Sequence, residues 1–577
     1  MGNTSAMTAK IIIEFMATMS PSTLGQQAKR NPQTGVDSAG IAAPPSNFTD
    51  VSNTPAVRMQ CPPWSSSYFP ERMKRSAISR CVLWAALLLT FSTSAVSAQL
   101  TDDQLMDSLQ VDALKYFWDY AHPTSKLSRE RIHVNDLAFD ENTIAMGGSG
   151  FGFLNVIVGI ENGYIPASEG VSHLNTALDF LWDADRFHGA WPHWINGNTG
   201  AVIPFSPLDD GGDLVETALM CQALICVREY FKDGNPTEQI VAQKADVLWK
   251  GVEWDWYTQN ENVLYWHWSP IHDWQMNFQI RGYNEALITY LLAAASPTYP
   301  ISSAAYHEGW ARDGDIVSSS SQYGLPVILS HNGAPGTVGP LFWAHYSYLG
   351  LDPHGLSDAY ANYWEVVTHH TDIVFEHCVE NPNGFAGYGD DCWGLTASYT
   401  RNPNGTTGYA AHQPNNDNGV ITPTAALSSM AYSPTASMDF LRYLYEDTAG
   451  EYLGELGPFD AISPHYDWKT ERYLAIDQGT IGPMLENHKT QLFWNLFMGA
   501  PEIKQGLLDL GFASTAYDLS SSCDADCPGP TYCGTGTHWD PMTASCVVSH
   551  PADVNFDSCV AVSDVLLVLS MFGQCFD

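Results

Sequence analysis

Carboxylates set among aromatic and apolar side chains carry the most chemistry in this sequence. Glu285, in "RGYNEALITYLLAAA", stands at the head of a run that is otherwise almost wholly apolar. Asp209, Asp210, Asp213 and Glu216 crowd into "PLDDGGDLVETALM", and Asp477 lies in "YLAIDQGTIGPMLEN" between two apolar segments, with Glu486 further along. Breaking a glycosidic bond takes two carboxyl groups, one protonated to release the leaving oxygen and one ionised to activate water or to attack. The competing use of such acids is helix capping, which accounts for one or two of the four in 209–216 but not for all of them ahead of an apolar helix. If that helix starts near Gly212, Asp213 and Glu216 lie three apart and share a face. For Glu285 the two uses conflict. A helix start stabilises the anion by ~0.3–1 kcal/mol, whereas a general acid needs burial to raise its pKa toward neutrality, against the helix N-terminus and Arg281.

Trp191, Trp194, Trp266, Trp268, Trp274 and Trp393 are candidate faces for sugar rings, although core filling is the commoner use of Trp. Other chemistries find little support. No G-x-S-x-G, H-E-x-x-H or P-loop pattern stands out, and "GGSGFG" (147–152) follows no strand of a βαβ unit, so it reads as a tight loop into a helix. His369 and His370 are adjacent and cannot chelate one ion from one helix face, so no zinc site is expected.

The elements that must hold these acids are helices. Apolar residues recur at three and four in "LMDSLQVDALKYFWDY", "ASEGVSHLNTALDFLWDADRF", "GDLVETALMCQALICVREYF", "TEQIVAQKADVLWKGVEWDWY", "GLSDAYANYWEVVTHHTDIVFEH", "SPTASMDFLRYLYEDTAG" and "LENHKTQLFWNLFM". Long loops rich in Gly, Pro, Asn, Asp and Trp separate them. Roughly a dozen helices with long loops suggest an all-α helical toroid with inner and outer rings, and no short repeat points to a solenoid.

The chain has 577 residues and a net charge of −38, from 25 basic and 63 acidic side chains. Such a surface repels nucleic acid and anionic membrane and suits a neutral substrate. Residues 73–98 read as a secretory signal: Lys74, Arg75 and Arg80, then "CVLWAALLLTF", then "VSA" before a cleavage point after Ala98. Residues 1–72 are then a disordered or mis-assigned extension, and the mature protein is exported to the periplasm, the cell surface or the medium. The catalytic domain is placed at 99–512, a linker at 513–522 and a small tail at 523–577. Cys221 and Cys226 read as buried thiols, whereas Cys378 and Cys392 could close a loop. The tail gathers six cysteines (Cys523, Cys527, Cys533, Cys546, Cys559, Cys575), a density that marks a disulfide-stapled module. It also spaces Asp553, Asn555, Asp557 and Asp564 at positions 1, 3, 5 and 12 of a candidate calcium loop, with Ser558 where a turn glycine is usual. This segment resembles a single dockerin repeat and is a candidate for attachment to a surface or a partner protein.

Eight stretches, in order, resemble glycoside hydrolase family 144 and the wider glycoamylase-like group of endo-β-1,2-glucanases: "GFGFLNVIVGIENGYI", "GAWPHWINGNTG", "DDGGDLVETALM", "IRGYNEALITYLLAAASPTYPI", "GPLFWAHYSYLGLDP", "CWGLTAS", "DNGVITPTAALSSMAYSP" and "YLAIDQGTIGPMLEN". The resemblance implies an (α/α)6 barrel, no metal in the reaction, and inverting hydrolysis of β-1,2-glucan to sophoro-oligosaccharides by a monomer. It casts Glu285 as general acid and Asp477 as general base, working directly or through a water chain. It also implies that Asp209, Asp213 and Glu216 line the sugar site; Arg281, Trp191, Trp194, Trp393 and His345 join them as candidate substrate contacts. Asn418 stands where the family usually has a second acid. The rivals are an exo-acting, sophorose-releasing hydrolase or a transglycosylase on the same fold, a polysaccharide lyase, which an acidic chain disfavours, and a non-catalytic surface glycan-binding protein.

Overall fold

The computed structural model describes residues 99–520 and the backbone of two strands at 537–540 and 545–548, which pair antiparallel. The expectations for residues 1–72, for the signal at 73–98, and for the six tail cysteines and the calcium loop at Asp553, Asn555, Asp557 and Asp564 lie outside the described side chains.

Twelve α-helices occur among the described residues: α1 (Asp102–Trp118), α2 (Met146–Glu161), α3 (Ala167–Asp183), α4 (Leu214–Phe231), α5 (Pro236–Lys250), α6 (Leu287–Ala295), α7 (Tyr363–Glu380), α8 (Pro423–Leu427), α9 (Pro434–Arg442), α10 (Ala475–Thr490), α11 (Leu492–Gly499) and α12 (Pro501–Asp509). They fall into two kinds. In α4, 15 of 18 residues are buried, and in α6 all nine are; such helices are buried on nearly every side and belong inside. In α3 and α5 burial is confined to one stripe, as expected of outer helices. The inner elements form a series: α2 packs on α4, α4 on α6, and α6 on the 3₁₀ turns of residues 341–348. Those turns reach the segment after α8 through Tyr432 Oη, which donates to the Ala344 carbonyl. From α8, Thr424 Oγ1 donates to the carbonyl of Asp477 in α10, and α10 packs back on α2. The helix-rich body is consistent with an α/α toroid.

The stretch "GGSGFG" is helical, not a loop into a helix. Its glycines remove side chains where inner helices touch: a Cβ on Gly150 would lie 2.8 Å from Met220 Cα of α4, and one on Gly148 2.7 Å from Ala475 Cβ of α10. Strand 143–145 runs directly into α2, strand 212–213 into α4 and strand 472–474 into α10, and each is paired with a strand from a distant loop. These ladders fix the first turns of three inner helices: those of α4 and α10 carry Asp213, Glu216 and Asp477, and that of α2 brings the Gly147 N–H to Glu216.

One boundary and one cysteine pairing differ from the sequence reading. The segment taken as linker at 513–522 is docked in its first part: Ala513–Ser514 pairs with Leu356–Ser357, Tyr517 Oη donates to Asp352 Oδ2 at 2.9 Å, and Leu519 is buried. Cys378 and Cys392 are free, buried thiols rather than a loop-closing bridge, as are Cys221 and Cys226. Cys378 lies against the Gly394 N–H and Cys392 beside the Tyr443 hydroxyl.

Candidate active site

The start of α4 carries the first cluster. Asp213 is its N-cap, and Oδ1 accepts from the N–H groups of Val215 and Glu216, both at 3.0 Å. Capping therefore occupies only half of this carboxylate. Its Oδ2 accepts from His193 Nδ1 at 2.9 Å and lies 3.4 Å from His267 Nε2. His267 Nε2 also reaches Asp209 Oδ2 at 3.1 Å, and Glu216 Oε2 accepts the Gly147 N–H at 2.7 Å. Burial alone would lower both histidines, but the carboxylates outweigh it. Glu216 and Asp213 hold His193 up at about 9, and Asp209 and Asp213 hold His267 up at about 10. Burial raises Glu216, whereas the two imidazolium rings more than offset burial at Asp213 and hold it well below the carboxylate range. His193, Asp209 and Asp213 bring one ligand atom each within 4.8 Å of one another, a spacing that could hold a metal ion; in this structure hydrogen bonds within the cluster already use Asp209 Oδ2 and Asp213 Oδ2.

Glu285 sits in the turn just before α6, half-buried. Burial pushes its carboxyl up to about 7, aided by the negative charges of Glu216 and Asp213. Trp343 pulls the other way: its buried indole N–H has no geometric hydrogen-bond partner and lies close enough to Glu285 to favour the anion. Arg281 is not among the groups that set this carboxyl. Its guanidinium donates to Gln279 Oε1 and to the carbonyls of Glu308 and Gly309, and it lines a separate surface depression of about 510 Å³.

Asp477 lies in the first turn of α10, and here the structure adds a residue that sequence reasoning missed. Asp460 touches it. Asp460 Oδ2 accepts the Tyr399 N–H at 2.8 Å, and Tyr346 Oη donates to Asp477 Oδ1 over a long 3.5 Å. The remaining oxygens, Asp460 Oδ1 and Asp477 Oδ2, are buried without a partner. Two contacting carboxyls cannot both ionise cheaply, and one proton between them satisfies both orphaned oxygens. Accordingly burial and the Asp460 charge raise Asp477 well above the usual range, and burial raises Asp460 to about 6. Tyr346 joins the two halves of the site, since the charges of Asp477, Glu216 and Glu285 all bear on its phenol.

Three of the candidate substrate contacts are core residues. Trp191 and Trp393 are fully buried with their indole N–H groups donated to the Leu181 and Ala436 carbonyls, so neither offers a face to a sugar. His345 is buried against Ser429 Oγ at 3.0 Å, and burial lowers it to about 3. Trp194 is half-buried, edge-on to His193, and belongs to the cluster. The missed residues had local signals. His193 and His267 each sit between large neighbours, in "WPHW" and "YWHW", and Asp460 is a lone acid in "GPFDAI", the same signature that singled out Glu285.

The chain is similar to several known proteins. The model of the Glycoamylase family, described as "Putative glucoamylase", matches residues 277–501. The endo-β-1,2-glucanase of Chitinophaga pinensis, solved with sophorotriose and glucose, is 51% identical over 72% of this chain and 99% of that one, with a TM-score of 0.70. A β-1,2-glucanase structure from Parabacteroides distasonis is 39% identical over 72% of this chain and 60% of that one, with a TM-score of 0.67. From the same organism, an exo β-1,2-glucooligosaccharide sophorohydrolase acting at the non-reducing end is 40% identical over 441 residues, 72% of this chain. The chain spans 59% of that relative's length. Because the likeness runs through the whole of the Chitinophaga enzyme, this chain belongs to the glycoamylase-like family of glycoside hydrolases represented by these proteins.

Proposed function

We propose that this protein hydrolyses β-1,2-glucan to short sophoro-oligosaccharides with inversion, on an (α/α)6 barrel, with Glu285 as general acid and Asp477 as general base. The observation that carries the reading is the Glu285 carboxyl, held at about 7 by burial beside Glu216 and Asp213. A group so placed keeps its proton near neutrality and can give it to the glycosidic oxygen. Trp343 then favours the carboxylate that remains. On the other side of Tyr346, the Asp460–Asp477 pair, once it has lost one proton, takes a proton from the attacking water directly or through a water chain. His193, held through Nδ1 by Asp213, keeps its Nε2 for a sugar hydroxyl, and His267 fixes Asp209 and Asp213 beside it. Glycoside hydrolases of this kind act without a cofactor.

An endo mode is favoured because the 51% identical Chitinophaga protein, matched over its whole length, is named as endo-acting. The exo, sophorose-releasing alternative rests on a relative matched over 59% of its length. Export, and surface attachment through the tail, are part of the proposal and rest on the sequence signals at 73–98 and 523–577.

Incubation of the protein with linear β-1,2-glucan, followed by reducing ends and product sizes, tests the reading. A ladder of short oligosaccharides is expected; sophorose alone would establish the exo mode, and inertness toward this glucan would overturn the substrate. Glu285→Gln should fold normally and lose ~10²–10⁴-fold in turnover, the usual share of a general acid.

A further inference from the structure

The loop between α5 and α6 carries an aromatic cluster that the acid-lined site does not use. Trp256 is 41% exposed, Trp268 and Trp274 beside it are half-buried, and Ile271 of the same loop is 73% exposed. Trp256 lies 6.4 Å, centroid to centroid, from both Trp268 and Trp274. Single exposed apolar side chains are ordinary, but a contiguous group of this size marks a binding surface.

The cluster is held rigidly. Trp256 stacks on His188 with centroids 3.7 Å apart and planes 14° from parallel, and His188 is tied to Glu253 at 2.8 Å. The next residue, Tyr257, is fully buried and donates to the Phe187 carbonyl at 2.7 Å, which fixes the short 3₁₀ turn that presents Trp256. A surface aromatic fixed in this way loses little entropy when a ligand lands on it.

Its place in the fold points to the occupant. In the two-residue strand His267–Trp268, His267 pairs with Asp213 and Trp268 with Gly212. Successive side chains of a strand point to opposite faces. The imidazole that grips Asp209 and Asp213 is thus one residue from the indole that joins the cluster. The aromatic surface thus adjoins the proposed glucan site through the strand that supports it, on the strand's other face. The carboxylates near it, Glu253, Asp255 and Asp273, suit hydroxyl donors and repel anionic polymers.

We propose that the Trp256–Trp268–Trp274 surface is a second carbohydrate-binding site, which holds a distal stretch of the same neutral glucan by stacking of its rings. The proposal rests on the glucan-hydrolase reading for the identity of the ligand. It predicts that polymer binding and short-substrate turnover separate.

The test uses the full chain and electrophoresis through gels containing β-1,2-glucan, with Glu285→Gln as the background so that the polymer survives. Glu285→Gln should be retarded, and the double variant Glu285→Gln/Trp256→Ala should lose most of that retardation. In the active protein, Trp256→Ala should raise KM for the long glucan about threefold to tenfold and leave kcat/KM on a short sophoro-oligosaccharide unchanged. Trp256→Phe should recover part of the loss, which separates stacking from damage to the loop. Equal losses on long and short substrates, or unaltered retardation in the double variant, would overturn the second site while leaving the hydrolase reading intact. A change in oligomeric state on Trp256→Ala, seen by sedimentation without any change in retardation, would assign the patch to self-association instead. A protein that cuts no β-1,2-glucan and is retarded by a different glucan through Trp256 would keep this site and overturn the proposed substrate.

Discussion

Glu285 answers the conflict posed by its position at a helix start. Burial and two neighbouring carboxylates win over the N-terminus of α6, and its carboxyl rises to about 7. The Asp460–Asp477 pair must have lost one proton, with Asp460 at about 6. Turnover should therefore peak in a narrow, slightly acid window, rising as the pair ionises and falling as Glu285 does, in a pH profile of kcat/KM. Trp343 offers a way to move one limb alone. Its indole favours the Glu285 anion, so Trp343→Phe should raise the Glu285 pKa, shift the alkaline limb to higher pH, and cost roughly tenfold in kcat. An unshifted limb would remove Trp343 from the acid's surroundings. Glu285, Asp477 and the Asp209–Glu216 cluster were legible as candidates in the sequence because isolated or crowded acids beside apolar runs are uncommon. The partners that set their protonation were not. Asp460 and Trp343 come from loops 17 and 58 positions away along the chain, and only the fold brings them to Asp477 and Glu285. Trp191, Trp393 and His345 were misread because sequence does not distinguish a Trp or His that fills the core from one that lines a cleft.

At the scale of elements, the helix starts are the working parts, and two devices hold them. One is the glycine face of α2. A Cβ at position 150 would meet backbone atoms of Met220 and Leu219, which cannot swing aside. Gly150→Ala should thus force α2 and α4 apart and cost ~1–3 kcal/mol, read as a lower midpoint in urea unfolding. These glycines were read as a loop because helix propensity argues against them. What overrides propensity is the close approach of three inner helices, a tertiary fact. The other device is the histidine clamp on the N-cap of α4. His193 and His267 stand at about 9 and 10 against 6.5 for a free imidazole. Raised values in the folded state mean stabilisation that is complete below about 6.5 and fades as pH rises through 9 to 10. The melting temperature should fall across that alkaline range. His267→Gln should start lower at pH 7 and fall less steeply; an identical slope would show that the imidazolium does not clamp α4.

For the molecule as a whole, the helical body was the most legible feature, because the three-and-four spacing of apolar residues survives in the helices buried along one stripe, α1, α3, α5 and α7, whatever the loops do. Its C-terminal edge was not legible. "ASTAYDLSSS" is small and polar, like a linker, yet Ala513–Ser514 closes a ladder with Leu356–Ser357, more than 150 positions earlier in the chain. No local pattern announces such a partner. Beyond it Tyr517 donates to Asp352, whose other oxygen accepts from His354 Nδ1 and the His354 N–H, and Leu519 enters the core. Cutting the chain after residue 512 deletes this ladder, leaves an oxygen of a buried aspartate without its tyrosine, and exposes the surface under Leu519. The cost should be ~2–5 kcal/mol. Cutting after residue 520 removes none of these contacts. A pair of proteins spanning 99–512 and 99–520 should therefore differ by several degrees or more in melting temperature, with the longer one matching the full chain in both stability and turnover of β-1,2-glucan. Equal melting temperatures would mean that the 513–519 segment merely rests on the body. Lost turnover in a stable 99–520 protein would mean that the cysteine-rich tail contributes to the cleft.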